Sequence, residues 1–363
     1  ICETFVLPDW IGYLKTRASW ASVGSGGNYA SYRYLEYGTN ANQFHGLPYG
    51  SIPGTRPEPS LKSELTISKE VGLEASMFNN RLSLDAALYQ SGTEDQIFQA
   101  PMAPSSGFNS GVVNAGYINN SGVEMNLSGD VIKTNDFSWN LGVNVTRQWS
   151  EVEELNEDVD VLNLGGVAGV IVAARKGDPV GTLLGSSFER DEQGNIVVDS
   201  QNLPKIKTTE EGAIDYEQNI GESYPDWLLG LNTGLRYKGA FLNMQFDSKL
   251  GQDLYSVTNQ RGSLYGTLAA TTEGRDEWEK AKEVSEVTGV APNDGYMVKG
   301  VKDGELGSYP VDPQKYWDRL SRIHEAFVYD ASFIRLRQVS MGYRFNSDFL
   351  AKTPFKKLSL SVV

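Results

Sequence analysis

Long stretches of this chain alternate strictly between apolar and polar residues, and a period of two sustained over so many positions admits little besides β-strand. From Phe137 the two faces read Phe137, Trp139, Leu141, Val143, Val145 against Ser138, Asn140, Gly142, Asn144, Thr146. From Leu65 they read Leu65, Ile67, Lys69, Val71, Leu73, Ala75, Met77 against Thr66, Ser68, Glu70, Gly72, Glu74, Ser76. Residues 82–89, 123–128 and 242–247 repeat the rule, and the runs from Leu65 and Phe137 are longer than the usual globular strand. Two architectures satisfy the pattern: a soluble sandwich with the apolar face inward, and a membrane barrel with that face toward lipid and the polar face around a lumen.

Connection lengths separate the two. Strands are expected at about 11–24, 63–78, 81–99, 114–132, 137–155, 226–238, 240–251, 332–345 and 357–363, about nine in all. Asn79-Asn80, the stretch 133–136 and Gly239 make tight turns on one side, while loops at 25–62, 100–113, 156–225 and 252–330 fall on the other. Short periplasmic turns facing long extracellular loops are the habit of an outer-membrane barrel, and a sandwich has no reason to sort its loops this way. Trp10, Tyr13, Trp20, Trp139, Trp149, Trp227, Tyr237 and Tyr343 gather near strand ends, as two interfacial girdles would require. No run of apolar residues is long enough for a transmembrane helix, which says nothing of strands. The composition agrees, with 18 Tyr, 38 Gly and a single Cys, so a disulfide framework within the chain is excluded. A formal charge of −14 argues against a nucleic-acid partner. The opening Ile1-Cys2-Glu3-Thr4 lacks Met and a signal sequence, as expected of a mature piece or an internal fragment.

In order along the chain come Phe5-Val6-Leu7-Pro8-Asp9-Trp10-Ile11, Leu61-Lys62-Ser63-Glu64-Leu65-Thr66, Lys69-Glu70-Val71-Gly72-Leu73-Glu74 and Asn114-Ala115-Gly116. Gly122-Val123-Glu124, Tyr224-Pro225-Asp226-Trp227, and Ala331-Ser332-Phe333-Ile334-Arg335-Leu336-Arg337 with Gly342-Tyr343 follow. These blocks resemble the SusC/RagA-type TonB-dependent transporters of Gram-negative outer membranes, from end to end of the chain. The resemblance implies a barrel of about 22 strands closed by an N-terminal plug. Residues 1–363 would then be its C-terminal portion, with plug, TonB-contacting segment, earlier strands and final strand absent. It implies active import of a large glycan or peptide oligomer, with a SusD-like lipoprotein, the TonB complex and membrane lipid or lipopolysaccharide as partners. A passive porin and a soluble β-rich glycan-binding protein are the rival readings.

Chemistry is sparse. His45 and His324 stand alone, and no Gly-x-Ser-x-Gly, Walker or His-Glu-x-x-His motif occurs, so no catalysis and no cofactor are expected. The run 207–216 is too poor in alternating carboxylates for a calcium loop, and no metal site is expected. Acidic pairs such as Glu153/Glu154 and Asp158/Asp160 read as a solvated rim. Tyr29, Tyr32, Tyr34, Phe44 and Tyr49, interleaved with amides, suit sugar faces or a peptide backbone, or else pack their own loop. Glu70, Glu74, Asp85, Glu124, Asn126, Asn140, Asn144 and Asp247 fall on the polar face and are expected to line the lumen. Trp278, on a short helix expected at 275–287, and Tyr316-Trp317 are candidates for contact with the lipoprotein, or for packing within the loop.

Overall fold

A computed structural model describes residues 7–26, 38–114, 116–155, 159–345, 350–351 and 354–363. Its frame is one antiparallel sheet of nine strands in sequence order. We number them β1 (Ile11–Ser25), β2 (Glu64–Met77), β3 (Leu82–Glu94), β4 (Tyr117–Lys133), β5 (Phe137–Glu154), β6 (Trp227–Tyr237), β7 (Ala240–Leu250), β8 (Phe333–Arg344) and β9 (Ser359–Val362). All nine expected strands are present. Every neighbour is the next strand in sequence, so the sheet is a meander, and among the described residues it does not close on itself.

The tight turns use residues that tolerate the left-handed region. Phe78, Asn79 and Asn80 all have positive φ, and Phe78 is steadied by its ring stacking on Trp10 at 5.8 Å. Lys238, at φ 53°, and Gly239 reverse β6 into β7. Between β4 and β5, the Phe137 amide donates to Thr134 Oγ1 at 2.9 Å.

Two expected strands were drawn too long. The span 81–99 runs past a break at Asp95, whose φ of 52° turns the chain out of the wall, and the span 114–132 starts early, on Asn114, with Gly116 at φ 70° ahead of the wall strand. Beyond Asp95, Ile97–Pro101 pairs with Ser110–Asn114 in a separate small sheet that also takes in Thr55–Arg56. The Ile97 amide donates to Glu64 Oε1, and Ile97 buries against Leu61 and Val112. Local alternation continues through the break, so only these long-range contacts mark it.

Register carries the two-faced pattern across the sheet. One row reads Leu14, Ala75, Leu84, Leu127, Val143, Leu231, Phe246, Leu336, one residue from each of β1 to β8. Among the described residues no second layer covers this face: Val71 is 61% exposed, Leu88 60% and Ile334 78%. A sandwich would bury them under a second sheet, so the soluble alternative fails, and an uncovered apolar band of this extent is what lipid solvates. Trp139, Trp149, Trp227, Tyr237 and Tyr343 alternate onto this face. Tyr13 does not: with Leu14 opposite Ala75 on the apolar row, Tyr13 opposite Ser76 falls on the polar face, against its assignment to a girdle.

The long connections fold beyond one end of the sheet. Segments Val161–Val167, Val170–Arg175, Thr182–Gly185 and Gln218–Glu222 form a four-stranded sheet. The last long connection contributes a hairpin, Tyr296–Lys302 with Glu305–Val311, and helices α1 (Val257–Leu264), α2 (Arg275–Thr288) and α3 (Pro313–Leu320). The two connections are one body: Val197 bridges Val301, Arg319 pairs with Asp199 at 3.1 Å, and Arg190 with Glu325 at 2.7 Å.

Candidate functional site

The polar face is the natural site to build from. One row across it reads Lys15, Glu74, Asp85, Asn126, Asn144, Gly230, Asp247, Arg335. Glu70, Glu124 and Asn140 sit an even number of residues away on their strands, so all eight residues expected on the polar face share it. Register then adds what alternation could not. Arg17 reaches across β2 to donate to Glu70 Oε1 at 3.1 Å and to Asp85 Oδ1 at 2.8 Å, tying three strands. It lies over Gly72, where an added Cβ would come within 2.5 Å of the guanidinium, so glycine at 72 makes the clamp possible. On the other flank Arg335 grips Asp247 through Nε and Nη2, the shorter contact being 2.7 Å. Between the two clamps runs an uncharged amide strip: Asn144 donates to Asn126 at 2.6 Å, and Asn140, Asn232, Asn243, Gln245 and Gln338 continue it.

At the long-loop end this face opens into a cavity of about 540 Å³, floored by Asn120, Thr146, Gln148 and Lys249 and roofed by Glu222, Tyr224 and Asp226. Glu222 accepts from Thr182 Oγ1 and from Asn219 Nδ2 at 3.1 Å, while burial raises its carboxyl above the ordinary range, helped by Asp178 and Asp253. Gln96 also lines the cavity, its Oε1 buried and without a hydrogen-bond partner. Sequence reasoning missed this cavity because its two halves are far apart in the chain. The one signal available was the Tyr224-Pro225-Asp226 block immediately before a strand.

The other sequence candidates distribute unevenly. Tyr29, Tyr32 and Tyr34 lie outside the described residues. Phe44 and Tyr49 fall on a hairpin, Gly38–Phe44 with Leu47–Ser51, and of these two residues the backbone alone is described. Tyr316 turns inward, stacking on Tyr296 at 4.0 Å beside the buried residues Val298 and Val311, and Trp317 meets both rings edge-on. Trp278, on α2, and Trp317 line a second cavity of about 710 Å³ between the three helices.

His324 locks the loop body. Its Nδ1 accepts from the Ser186 amide at 3.2 Å, its own amide donates to Ser186 Oγ, and the ring bonds the Ala168 carbonyl. Tyr216 and Tyr255 face the ring, and Glu325 next to it is held by the Phe188 amide and Arg190. Burial lowers the imidazole's pKa, so the neutral ring is the one that packs. A proton on Nδ1 would set a donor against the Ser186 amide. As pH falls through the ordinary histidine range, the opened loop takes up a proton that the closed loop refuses, and closed-loop stability is lost. The protection of amides 182–187, taken relative to intrinsic exchange at each pH, is therefore expected to fall between pH 7.5 and 5, and a His324→Gln variant to lose that dependence.

Residues 5–362 match the family model described as TonB dependent receptor-like, beta-barrel. The chain belongs to the TonB-dependent receptor β-barrel family. It is 25% identical over 327 residues to TonB-dependent receptor P3 of Formosa agariphila, which covers 84% of this chain and 29% of that protein. To TonB-dependent receptor SusC of Bacteroides thetaiotaomicron it is 23% identical over 359 residues, covering 94% of this chain and 32% of SusC. The chain thus spans about a third of the length of these relatives. The solved RagAB peptide transporter superposes with a TM-score of 0.69 at 18% identity, over 99% of this chain and 38% of that one, which establishes a shared fold. As a TonB-dependent receptor barrel this protein resides in the outer membrane.

Proposed function

We propose that this chain forms lumen wall and outer loops of an importer that captures a glycan or peptide oligomer at the cell surface and draws it inward with energy delivered through TonB. The reading rests on one observation above others. The eight-residue polar row runs from clamp to clamp around an amide strip and leads into the 540 Å³ cavity under the loops. Amides donate and accept at once without charge, which suits the hydroxyls of a sugar or the backbone of a peptide and lets cargo move on without a tight ion pair. Likeness to SusC and to the RagAB fold supports a surface lipoprotein of the SusD kind as a lid over the loop body, and the helices α2 and α3 around Trp278 and Trp317 are its proposed contact. Plug and TonB-contacting segment belong to the remainder of such a protein.

Cells carrying the full-length transporter are expected to take up labelled oligomers, and to stop when the inner-membrane proton gradient is collapsed or TonB is deleted. Uptake that continues unchanged in both conditions would establish the passive porin instead.

A further inference from the structure

The geometry points to a second binding site, on the lipid side of the wall: Arg147, with Lys69, as a docking point for the phosphorylated headgroup of an outer-leaflet glycolipid. Arg147 lies on the apolar face, between Val123 of β4 and Trp227 of β6. Its guanidinium lies over two indoles, 4.7 Å from the centroid of the Trp149 ring and 4.8 Å from that of Trp227. Its Nε is buried and has no hydrogen-bond partner, and among the described residues neither Arg147 nor Lys69 makes a salt bridge.

Depth decides what such a cation meets. Trp139 and Trp149 are ten residues apart on β5, roughly 33 Å of strand and about 25 Å of height at a tilt of about 40°, which is the height of a barrel's lipid-facing band. Trp149 therefore marks the outer girdle, and Arg147 lies two residues, about 5 Å in depth, inside it. The next row outward reads Trp20, Lys69, Gln90, Ser121, Trp149, which puts Lys69 three strands away on the same girdle, about 14 Å from Trp149. The carboxylates of Glu151 and Glu153 lie farther out, and Glu153 is engaged by Asn119.

A charge held at the edge of lipid without a protein counter-ion needs one from the solvent or the membrane. Two indole rings hold the guanidinium, and its planar fork matches a phosphate through two parallel hydrogen bonds. At the long-loop end of the wall the phosphates at this depth are those of the outer leaflet, where a lipopolysaccharide carries them. This inference rests on outer-membrane residence and is independent of the cargo.

The test uses the full-length transporter, stripped of lipid in detergent and titrated with diphosphorylated lipid A, its dephosphorylated form and inorganic phosphate, with binding read by native mass spectrometry. Wild type is expected to prefer the diphosphorylated form, R147Q to weaken it by about fivefold or more, R147K to keep part of it, and K69Q to weaken it less. Equal binding by R147Q, or equal binding of the dephosphorylated form, would overturn the site. Competition by inorganic phosphate at millimolar concentration would assign it to free phosphate and overturn the lipid assignment. Heat-shifted gel mobility reports whether each variant is a folded barrel. Should R147Q fail to assemble, R147K and K69Q decide by the same criteria.

Discussion

Arginine at position 143 prevents this barrel from assembling, while arginine at position 144 does not. That is the expected result of substituting two adjacent residues that face different solvents. Val143 sits in the middle of the apolar row, between Leu127 and Leu231, where a charge meets hydrocarbon at a cost of about 2–4 kcal/mol near the bilayer midplane. Asn144 sits between Asn126 and Gly230 on the polar face, where a longer cation finds water and the amides of its neighbours. Heat-modifiable migration of the full-length protein in outer-membrane extracts reads the outcome. Val143→Arg should leave little of the compact, fast-migrating form and Asn144→Arg nearly all of it. The opposite ranking would mean that the two faces are assigned the wrong way round.

Leu162→Ala is expected to detach the extracellular body from the wall without unfolding the wall. Leu162, 1% exposed, meets Val152 of β5 and Ile118 of β4, with Ala174 of the loop sheet behind it and Phe98 and Val113 of the small side sheet packed against them. These few side chains join wall, loop body and side sheet, so a cavity here weakens all of those contacts at once. Truncating a fully buried leucine to alanine costs about 2–5 kcal/mol, which raises the opening constant of the body by roughly 30-fold or more. Hydrogen exchange should rise by that factor in 161–175 and remain unchanged in the centres of β4 and β5. Uniform acceleration across the wall strands would show that the body and the wall unfold as one unit.

Much of this was legible because it is local. Alternation at Phe137 to Thr146 says which residues share a face whatever the strand pairs with, and Asn79-Asn80 or Lys238-Gly239 says where the chain reverses. The helix expected at 275–287 is α2, Arg275–Thr288. The misreadings differ in cause. Asp95 breaks a strand whose pattern continues through it, and only partners distant in sequence decide that. Tyr13 is out of step with Leu14 and Trp20, so alternation alone already sets it on the opposite face. Tyr316 illustrates in the loops the limit met at Asp95, since an aromatic residue in a polar segment reads alike whether it meets a partner or stacks on Tyr296.

The sequence by itself determined nine two-faced strands, the side on which the long loops lie, and which eight polar residues share a face, since a period of two needs no knowledge of neighbours. Only the tertiary structure decided the register that carries Arg17 over Gly72 to Glu70 and Asp85, the meeting of two long loops through Ser186 and His324, the cavity beneath them, and the lodging of Arg147 against Trp149 and Trp227. The physical reason is that strand pattern follows from solvent on each face, whereas register and loop packing follow from contacts between residues tens to hundreds of positions apart.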